Sequence, residues 1–427
     1  MILPEGFRRL DPETRRARLG ELFCDRSEGE EFLATGRDPA LVELSSLMVE
    51  SSIGYAPIPL GIAGGFVIDG QRFDIPMATE EPSVIAAATY AARIIARGGG
   101  FHTWATDPVM ATQIFLEGVT EAGGEKLLAS EARIRAEMEP ILASLAARGG
   151  GWRGMRVARL PGTGLLKVDF DIDVRDAMGA NILNTAAEGV CPLVEELSGG
   201  KRLMCILSNA AEGRRGRASF TLPFGALASV AGSPGEAVET ARRIVLATAL
   251  ANEDPSRAVT HNKGVMNGIS ALALATFNDC RSIEAAAHAW AARDGAYRSL
   301  SSYRVEGEAL VGELELPLSF GAVGGAAAFH PASRLALKFL GSPGAPELAR
   351  IAAALGLAQN FAALLALVTG GIQRGHMRYH APRIAYMAGA RGEEVAQVAA
   401  TLTAEKNFRL AYAESVLAAL RQAAPYP

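Results

Sequence analysis

Residues 165–174 read LLKVDFDIDV. Val168, Phe170, Ile172 and Val174 fall on one side of this run, and Lys167, Asp169, Asp171 and Asp173 on the other. That period of two is the mark of a half-buried strand. A turn, PGTG, separates it from Arg156 to Leu160, so the two read as a hairpin. Working outward, Thr112 to Val119 suggests a strand and Glu125 to Ala147 a helix. Downstream, Asn181 to Leu197 reads as a helix, and Leu203 to Leu207 and Ala218 to Leu222 as strands. The order β-α-β-β-α-β is that of a ferredoxin-like unit. It lies between two Ala-rich helical regions, which makes it an inserted small domain.

The expected fold class is α+β. It comprises a large Ala-rich helical domain with a buried central helix, the ferredoxin-like insert, and a C-terminal helical flap. The expected boundaries are 1–108 for the first part of the large domain and 109–216 for the inserted small domain. The large domain resumes over 217–374, and 375–427 form a mobile flap. Residues 8–47 read as helices and turns. Gly54 to Ile75 reads as short strands around the hairpin turn Asp69-Gly70, and 234–370 as long helices. Ile351 to Ile372 is nearly long enough to span a bilayer. Gln359 and Asn360 at its centre, and its Ala and Gly content, favour a helix buried in a large core.

The chain has 427 residues, 49% hydrophobic and 21% charged, with a net charge of -4. That suits a soluble protein and argues against nucleic acid as the main partner, since no basic excess is available for phosphates. The four cysteines, at 24, 191, 205 and 280, form no CxxC pair. A reducing cytoplasm fits, and a disulfide framework or a zinc site does not. The N-terminus lacks an apolar signal core.

Polar clusters carry the chemistry. Asp254 to Asp279, DPSRAVTHNKGVMNGISALALATFND, gathers Arg257, His261, Lys263 and three Asn around Gly264 and Gly268. Lys263 is by default a solvated loop lysine, but Arg257, Asn262 and Asn267 favour an anion-handling pocket in which a Lys–Asp pair polarises a carbonyl, and Asp279 is either that partner or a simple helix cap. Pro82 suits the first position of the helix that Gly98 to Gly100 ends, which puts Glu80 and Glu81 at a helix N-terminus. A proton donor there needs burial or a neighbouring carboxylate. Asp176 to Asn181, DAMGAN, follows a strand and opens a helix. It is either an ordinary turn or a set of N–H groups for a pyrophosphate. His376 sits where the apolar helix gives way to the charged tail, as a structural residue or as a mobile acid. His380 completes HxxxH, but with no third ligand no metal is expected. Cys280 reads as a small buried residue rather than a nucleophile.

Eight pieces in order resemble the 3-hydroxy-3-methylglutaryl-coenzyme A (HMG-CoA) reductase family, in its soluble bacterial class II form. They are ESSIG (50–54), PMATEEPS (76–83), DVRDAMGAN (173–181), Ser208-Asn209, HNKGVMNG (261–268), Asn278-Asp279, VGG (323–325) and QRGHM (373–377). The resemblance covers nearly the whole chain. It implies catalytic roles for Glu81 (proton donor), Lys263 (oxyanion stabiliser), Asp279 (partner of the lysine) and His376 (protonation of the departing thiolate). It implies substrate contacts at Arg257, Ser83, Asn209, Asn267 and Glu50, and a coenzyme A phosphate contact at Arg8. It places a nicotinamide dinucleotide at Asp176, Met178, Gly179, Ala180 and Asn181. Glu139 falls where NAD-preferring relatives carry an acid, so NAD(H) is expected over NADP(H).

The reaction it implies interconverts HMG-CoA with mevalonate and free coenzyme A by two hydride transfers. The cytoplasm and a homodimer with sites at the subunit interface are also implied. Ser51 departs from the family's ENxIG, and AAAFHP after VGG is less polar than usual. These departures motivate the alternative of a reductase of a related acyl-CoA thioester. A non-catalytic acyl-CoA-binding protein on the same fold is a further alternative, which the persistence of all four catalytic residues disfavours.

Overall fold

The computed structural model of the chain describes Met48, residues 57–370 and residues 372–423. Its first hairpin pairs β1 (Leu60–Ile68) with β2 (Gln71–Ala78). Asp69 and Gly70 both have positive φ, 49° and 79°. Two such residues in a row make the turn whose twist matches a tight hairpin. The Ala-rich helix Val84–Ile95 follows, and Gly99 and Gly100, at φ 107° and 95°, turn the chain out of it. The helix begins two residues later than the proline predicts. Ser83, not Pro82, is the capping position, in a left-handed conformation at φ 74°.

β3 (His102–Ala105) leads to the small unit. There β4 (Val109–Glu117), β5 (Gly151–Arg159), β6 (Leu166–Asp173) and β7 (Lys201–Leu207) form one antiparallel sheet in the order β5-β6-β4-β7. That order is the ferredoxin-like arrangement, with helix Ala180–Ser198 and the helices between 121 and 146 supplying its α elements. Val168, Phe170, Ile172 and Val174 are fully buried in this unit's own core. The other face spends its acids on cations. Asp169 meets Lys167, Asp171 meets Arg156, and buried Asp173 meets Arg153 and Arg175.

β8 (Arg215–Pro223) returns to the large unit, where with β9 (Ser301–Glu306) and β10 (Ala309–Pro317) it forms a sheet of order β3-β8-β10-β9. Here the structure corrects the reading of 234–370 as helical throughout. β9 and β10 form a hairpin within that span. The helical reading holds around Lys263, whose default as a solvated loop residue is corrected. Pro255–Ala275 is one continuous helix. Gly268 is there for closeness, because a Cβ on it would lie 3.1 Å from both Cγ and the carbonyl oxygen of Leu355. The helix cost of glycine, about 1 kcal/mol, is offset by that approach to the central helix.

That central helix, Ala345–Val368, is apolar enough to cross a bilayer, yet 78% of its most apolar window is buried inside the protein. Every residue from Ile351 to Ala362 is buried. Its buried asparagine is used. The Asn360 Oδ1 accepts from Ser301 Oγ and from Tyr303 Oη, each at 2.9 Å. Three helices follow, Ile372–Met387, Glu393–Ala404 and Leu410–Ala423, with a small core of their own around Val398, Leu402 and Leu417.

Candidate active site

Helix Pro255–Ala275 supplies one wall of a cavity of about 610 Å³. Asp254 caps it by accepting from Ser256 N at 2.9 Å. Arg257, Thr260, Gly264 and Asn267 line the cavity at helical spacing, with Lys263 beside them. The opposing wall is Glu81, Ser83 and the exposed turns of helix Val84–Ile95, including Tyr90 and Arg93. The central helix closes the floor with Gln359 and Asn360. Lys263 Nζ donates to Glu81 Oε2 at 2.9 Å across the cavity. Arg93, Arg257 and Lys263 face the single carboxylate of Glu81 among the lining residues, so the cavity carries an excess of positive charge suited to an anionic ligand. Burial pushes the Arg257 guanidinium down from its ordinary value.

The structure therefore brings Glu81, Ser83, Arg257, Lys263 and Asn267 together around one cavity. Asn209 and Asp279 do not line it. Asp279 caps helix Cys280–Ala291, accepting from Arg281 N at 3.0 Å and Ser282 N at 3.2 Å, and pairs with the Arg281 side chain. Partial burial pushes its carboxyl up, but Arg281 and the Ser282 amide outweigh it and leave it below the ordinary range. Of the two readings of Asp279, helix cap or partner of Lys263, the structure shows the cap, and the carboxylate it places on Lys263 is Glu81. Asn209 accepts from Ser282 Oγ at 3.0 Å, which ties it to the Asp279 cap. Arg8, Glu50 and Ser51 lie outside the described residues, as does the side chain of His376, whose backbone is in helix Ile372–Met387.

Asn262, read as part of the anion-handling set, has a structural use instead. It is fully buried, donates to Arg298 O at 2.8 Å and accepts from Leu300 N at 2.9 Å. Arg93, Tyr90 and Thr260 went unnoticed in the sequence, and Gln359 was read only as a polar residue of a buried helix. Their signal was the helical repeat that carries Ser83, Tyr90 and Arg93 to one face.

His261 is 2% exposed and lies behind Lys263, with Nε2 2.7 Å from Ser301 Oγ. Burial, helped by the charge of Arg257, pushes its pKa down to about 3. The unfolded chain takes up a proton near pH 6.5 that the folded chain refuses until about 3. Stability from this group is therefore complete above pH 6.5 and declines as pH falls, by about 1.4 kcal/mol per unit. Urea unfolding should show a loss of about 2 kcal/mol from this group between pH 6.5 and 5. A His261→Gln variant, which cannot titrate, should lose correspondingly less over the same range. Identical pH slopes for the two proteins would refute the assignment.

The turn Asp176–Asn181 forms a second cluster. Gly179, at φ 96°, caps helix Ala180–Ser198, and no side chain caps the helix at that position. A Cβ on Gly179 would meet Val174 Cγ1 at 2.6 Å, so the backbone must pass close to the strand here. The bare helix N-terminus, with no acid in its first turn, fits the pyrophosphate of a dinucleotide. Asp176 itself is engaged elsewhere, its Oδ1 accepting from Ala345 N at 2.7 Å at the start of the central helix. Glu139 is paired with Arg135 at 2.8 Å on an exposed surface. No group of three or more metal-ligating side chains occurs among the described residues.

A family model described as hydroxymethylglutaryl-coenzyme A reductase matches residues 12–381. The 3-hydroxy-3-methylglutaryl-coenzyme A reductase of Archaeoglobus fulgidus is 44% identical over 425 residues, spanning 97% of this chain and 94% of that protein. A solved structure of the Streptococcus pneumoniae reductase superposes with a TM-score of 0.82 at 38% identity, over 98% of this chain and 100% of that one. A second structure from that organism, described as the class II enzyme bound to NADPH in open conformations, superposes with a TM-score of 0.80 at 38% identity, covering 96% and 100%.

Proposed function

The chain belongs to the hydroxymethylglutaryl-coenzyme A reductase family, in its class II bacterial form, and from that premise we propose the division of labour among its residues. The observation that carries the reading is the 2.9 Å Lys263–Glu81 contact in a cavity with a cationic surplus. Lys263 stabilises the oxyanion that develops on the substrate carbonyl, first of the thioester and then of the aldehyde derived from it. Glu81, in contact with that ammonium, delivers the proton that completes the alcohol. Arg257, Ser83 and Asn267 hold the hydroxymethylglutaryl portion, and Arg93 adds a cation for its anionic groups. Asp279 orders the far side of the site through its helix cap, together with Asn209. His376, on helix Ile372–Met387, protonates the departing thiolate, and the three C-terminal helices carry it as a flap.

A bound dihydronicotinamide supplies the hydride. The chain's part is to receive that coenzyme on the turn 176–181 and the helix behind it. The boundaries 109–216 for the coenzyme-binding insert and 375–427 for the flap belong to the same proposal, as does a homodimer with its sites at the subunit interface. Purified protein assayed with HMG-CoA and reduced coenzyme, and with mevalonate, coenzyme A and oxidised coenzyme, tests the activity. Absence of turnover in both directions with both coenzymes would reject it.

The preference for NAD(H) over NADP(H) rests on Glu139 alone. Its carboxylate is already shared with Arg135, and the related Streptococcus pneumoniae structure is bound to NADPH. A direct measurement decides between them. If Glu139 discriminates, Glu139→Ala should shift the NADH-to-NADPH ratio of kcat/KM toward NADPH by about tenfold, the cost of one lost ribose contact. An unchanged ratio removes Glu139 from the coenzyme site, and wild-type efficiency with NADPH equal to or above that with NADH removes the NAD(H) preference.

A further inference from the structure

Arg214 lies outside every motif that carries the family resemblance, yet it is only 3% exposed. It sits on the strand of chain that returns from the small unit to β8. That connection is stitched to the outgoing one. Thr106 Oγ1 donates to Gly213 O and accepts from Arg215 N, each at 2.8 Å. A buried guanidinium needs its donors occupied, and here backbone carbonyls occupy them. Nη1 donates to Ala177 O at 3.1 Å and reaches Met178 O at 3.4 Å. Nη2 donates to Phe320 O. One planar group therefore grips the Asp176–Asn181 turn with one nitrogen and the 318–323 segment with the other.

The two gripped segments are in direct contact. Ala322 N and Val323 N both donate to Asp176 O, at 2.8 and 3.2 Å. Gly321 passes so near the turn that a Cβ there would lie 2.7 Å from Met178 N. From Gly321 the connection continues to the catalytic side. Gly321 N donates to Asn278 Oδ1 at 2.6 Å, and Asn278 Nδ2 donates back to Gly321 O at 3.1 Å. Asn278 immediately precedes Asp279.

We infer that Arg214 is the positioning residue that locks the coenzyme turn of the small unit to the Asn278–Asp279 segment of the large one. The inference rests on the reductase reading above. Its guanidinium fork is what makes the lock. A lysine would keep the charge but could satisfy only one side, so the turn and the 318–323 segment would no longer be held in register. Burial pushes the Arg214 pKa down to about 10 against the opposing pull of Asp173 and Asp176, so the group stays charged at neutral pH. That charge also offsets two carboxylates beside a turn that must accept a pyrophosphate.

The test compares wild type with Arg214→Lys and Arg214→Gln. Binding of reduced coenzyme is read by energy transfer from tryptophan to the dihydronicotinamide without turnover, and HMG-CoA binding by calorimetry. Arg214→Lys should weaken coenzyme binding tenfold or more and raise its KM in step, while HMG-CoA binding stays within twofold. A folded Arg214→Lys protein that binds coenzyme as wild type does overturns the inference. A second measurement needs no variant. In wild type, coenzyme should slow backbone hydrogen exchange in 176–182 and in 318–323 together. Protection confined to the first segment overturns the lock even if both variants fail to fold. Wild type that turns over but shows no such linkage loses only this inference. Wild type that neither binds coenzyme nor turns over loses the reductase reading as well.

Discussion

Lys263→Ala is expected to cut kcat for HMG-CoA reduction by roughly a thousandfold, the cost of removing a principal oxyanion-stabilising group. The protein should remain folded. Lys263 and Glu81 are 59% and 40% exposed, and an ion pair this accessible contributes at most about 1 kcal/mol to stability. The loss therefore belongs to the transition state. Arg93 and Arg257 still line the cavity in the variant, so substrate affinity should fall much less than kcat. Steady-state kinetics beside a thermal melt make the comparison. Activity within tenfold of wild type would show that the developing negative charge is met elsewhere. Lys263→Arg should recover only a small part of the loss. The broader guanidinium cannot place a compact charge where the ammonium sits against Glu81, because the helix that carries Lys263 packs closely on the central one at Gly268 and cannot shift to compensate.

The sequence made the small unit legible because its physics is local. The alternation from Lys167 to Val174 requires one buried face, and the structure buries Val168, Phe170 and Ile172 completely. The hairpin of β9 and β10 obeys the same rule, with Leu310, Leu314 and Leu316 buried and Glu313 and Glu315 on the other face. It went unread because the surrounding helices dominated the assignment. The setting of Lys263 within its helix was hard to read for a different reason. Two glycines and two asparagines in HNKGVMNG are poor helix formers, and the compensation is tertiary. Gly268 fits against Leu355, and Asn262 spends its amide on Arg298 and Leu300, all distant in sequence.

The site divides along the same line. Residue chemistry made Glu81 and Lys263 plausible and motif resemblance made them specific, but their contact belongs to the fold, since they stand 182 residues apart. Arg93 and Gln359 were visible only as residues on helices whose facing could not be known. Arg214 was the least legible of all. In EGRRGR it has the look of a solvated basic turn, and nothing nearby in sequence announces the carbonyls of Ala177 and Phe320.

The contact between Glu81 and Lys263 leads to the second large effect. Glu81→Gln keeps the shape of the side chain and an oxygen that can accept from Lys263 Nζ, so the geometry of the pair should persist. What disappears is the exchangeable carboxyl proton. Reduction of the thioester ends in expulsion of a thiolate, whereas reduction of the aldehyde ends in an alkoxide that must be protonated. The variant should therefore lose roughly a thousandfold in mevaldehyde reduction, within the span of general acid catalysis. The thioester step should suffer less, because its requirement is the charge on Lys263, which the amide leaves in place and no longer neutralises. Supplying mevaldehyde directly with reduced coenzyme isolates the second step, and rapid-quench analysis of HMG-CoA consumption isolates the first. Mevaldehyde reduction within fivefold of wild type would remove Glu81 as the proton donor. Its carboxylate would then serve only to hold Lys263 in place, and the acid would have to be sought among the other groups that reach the cavity.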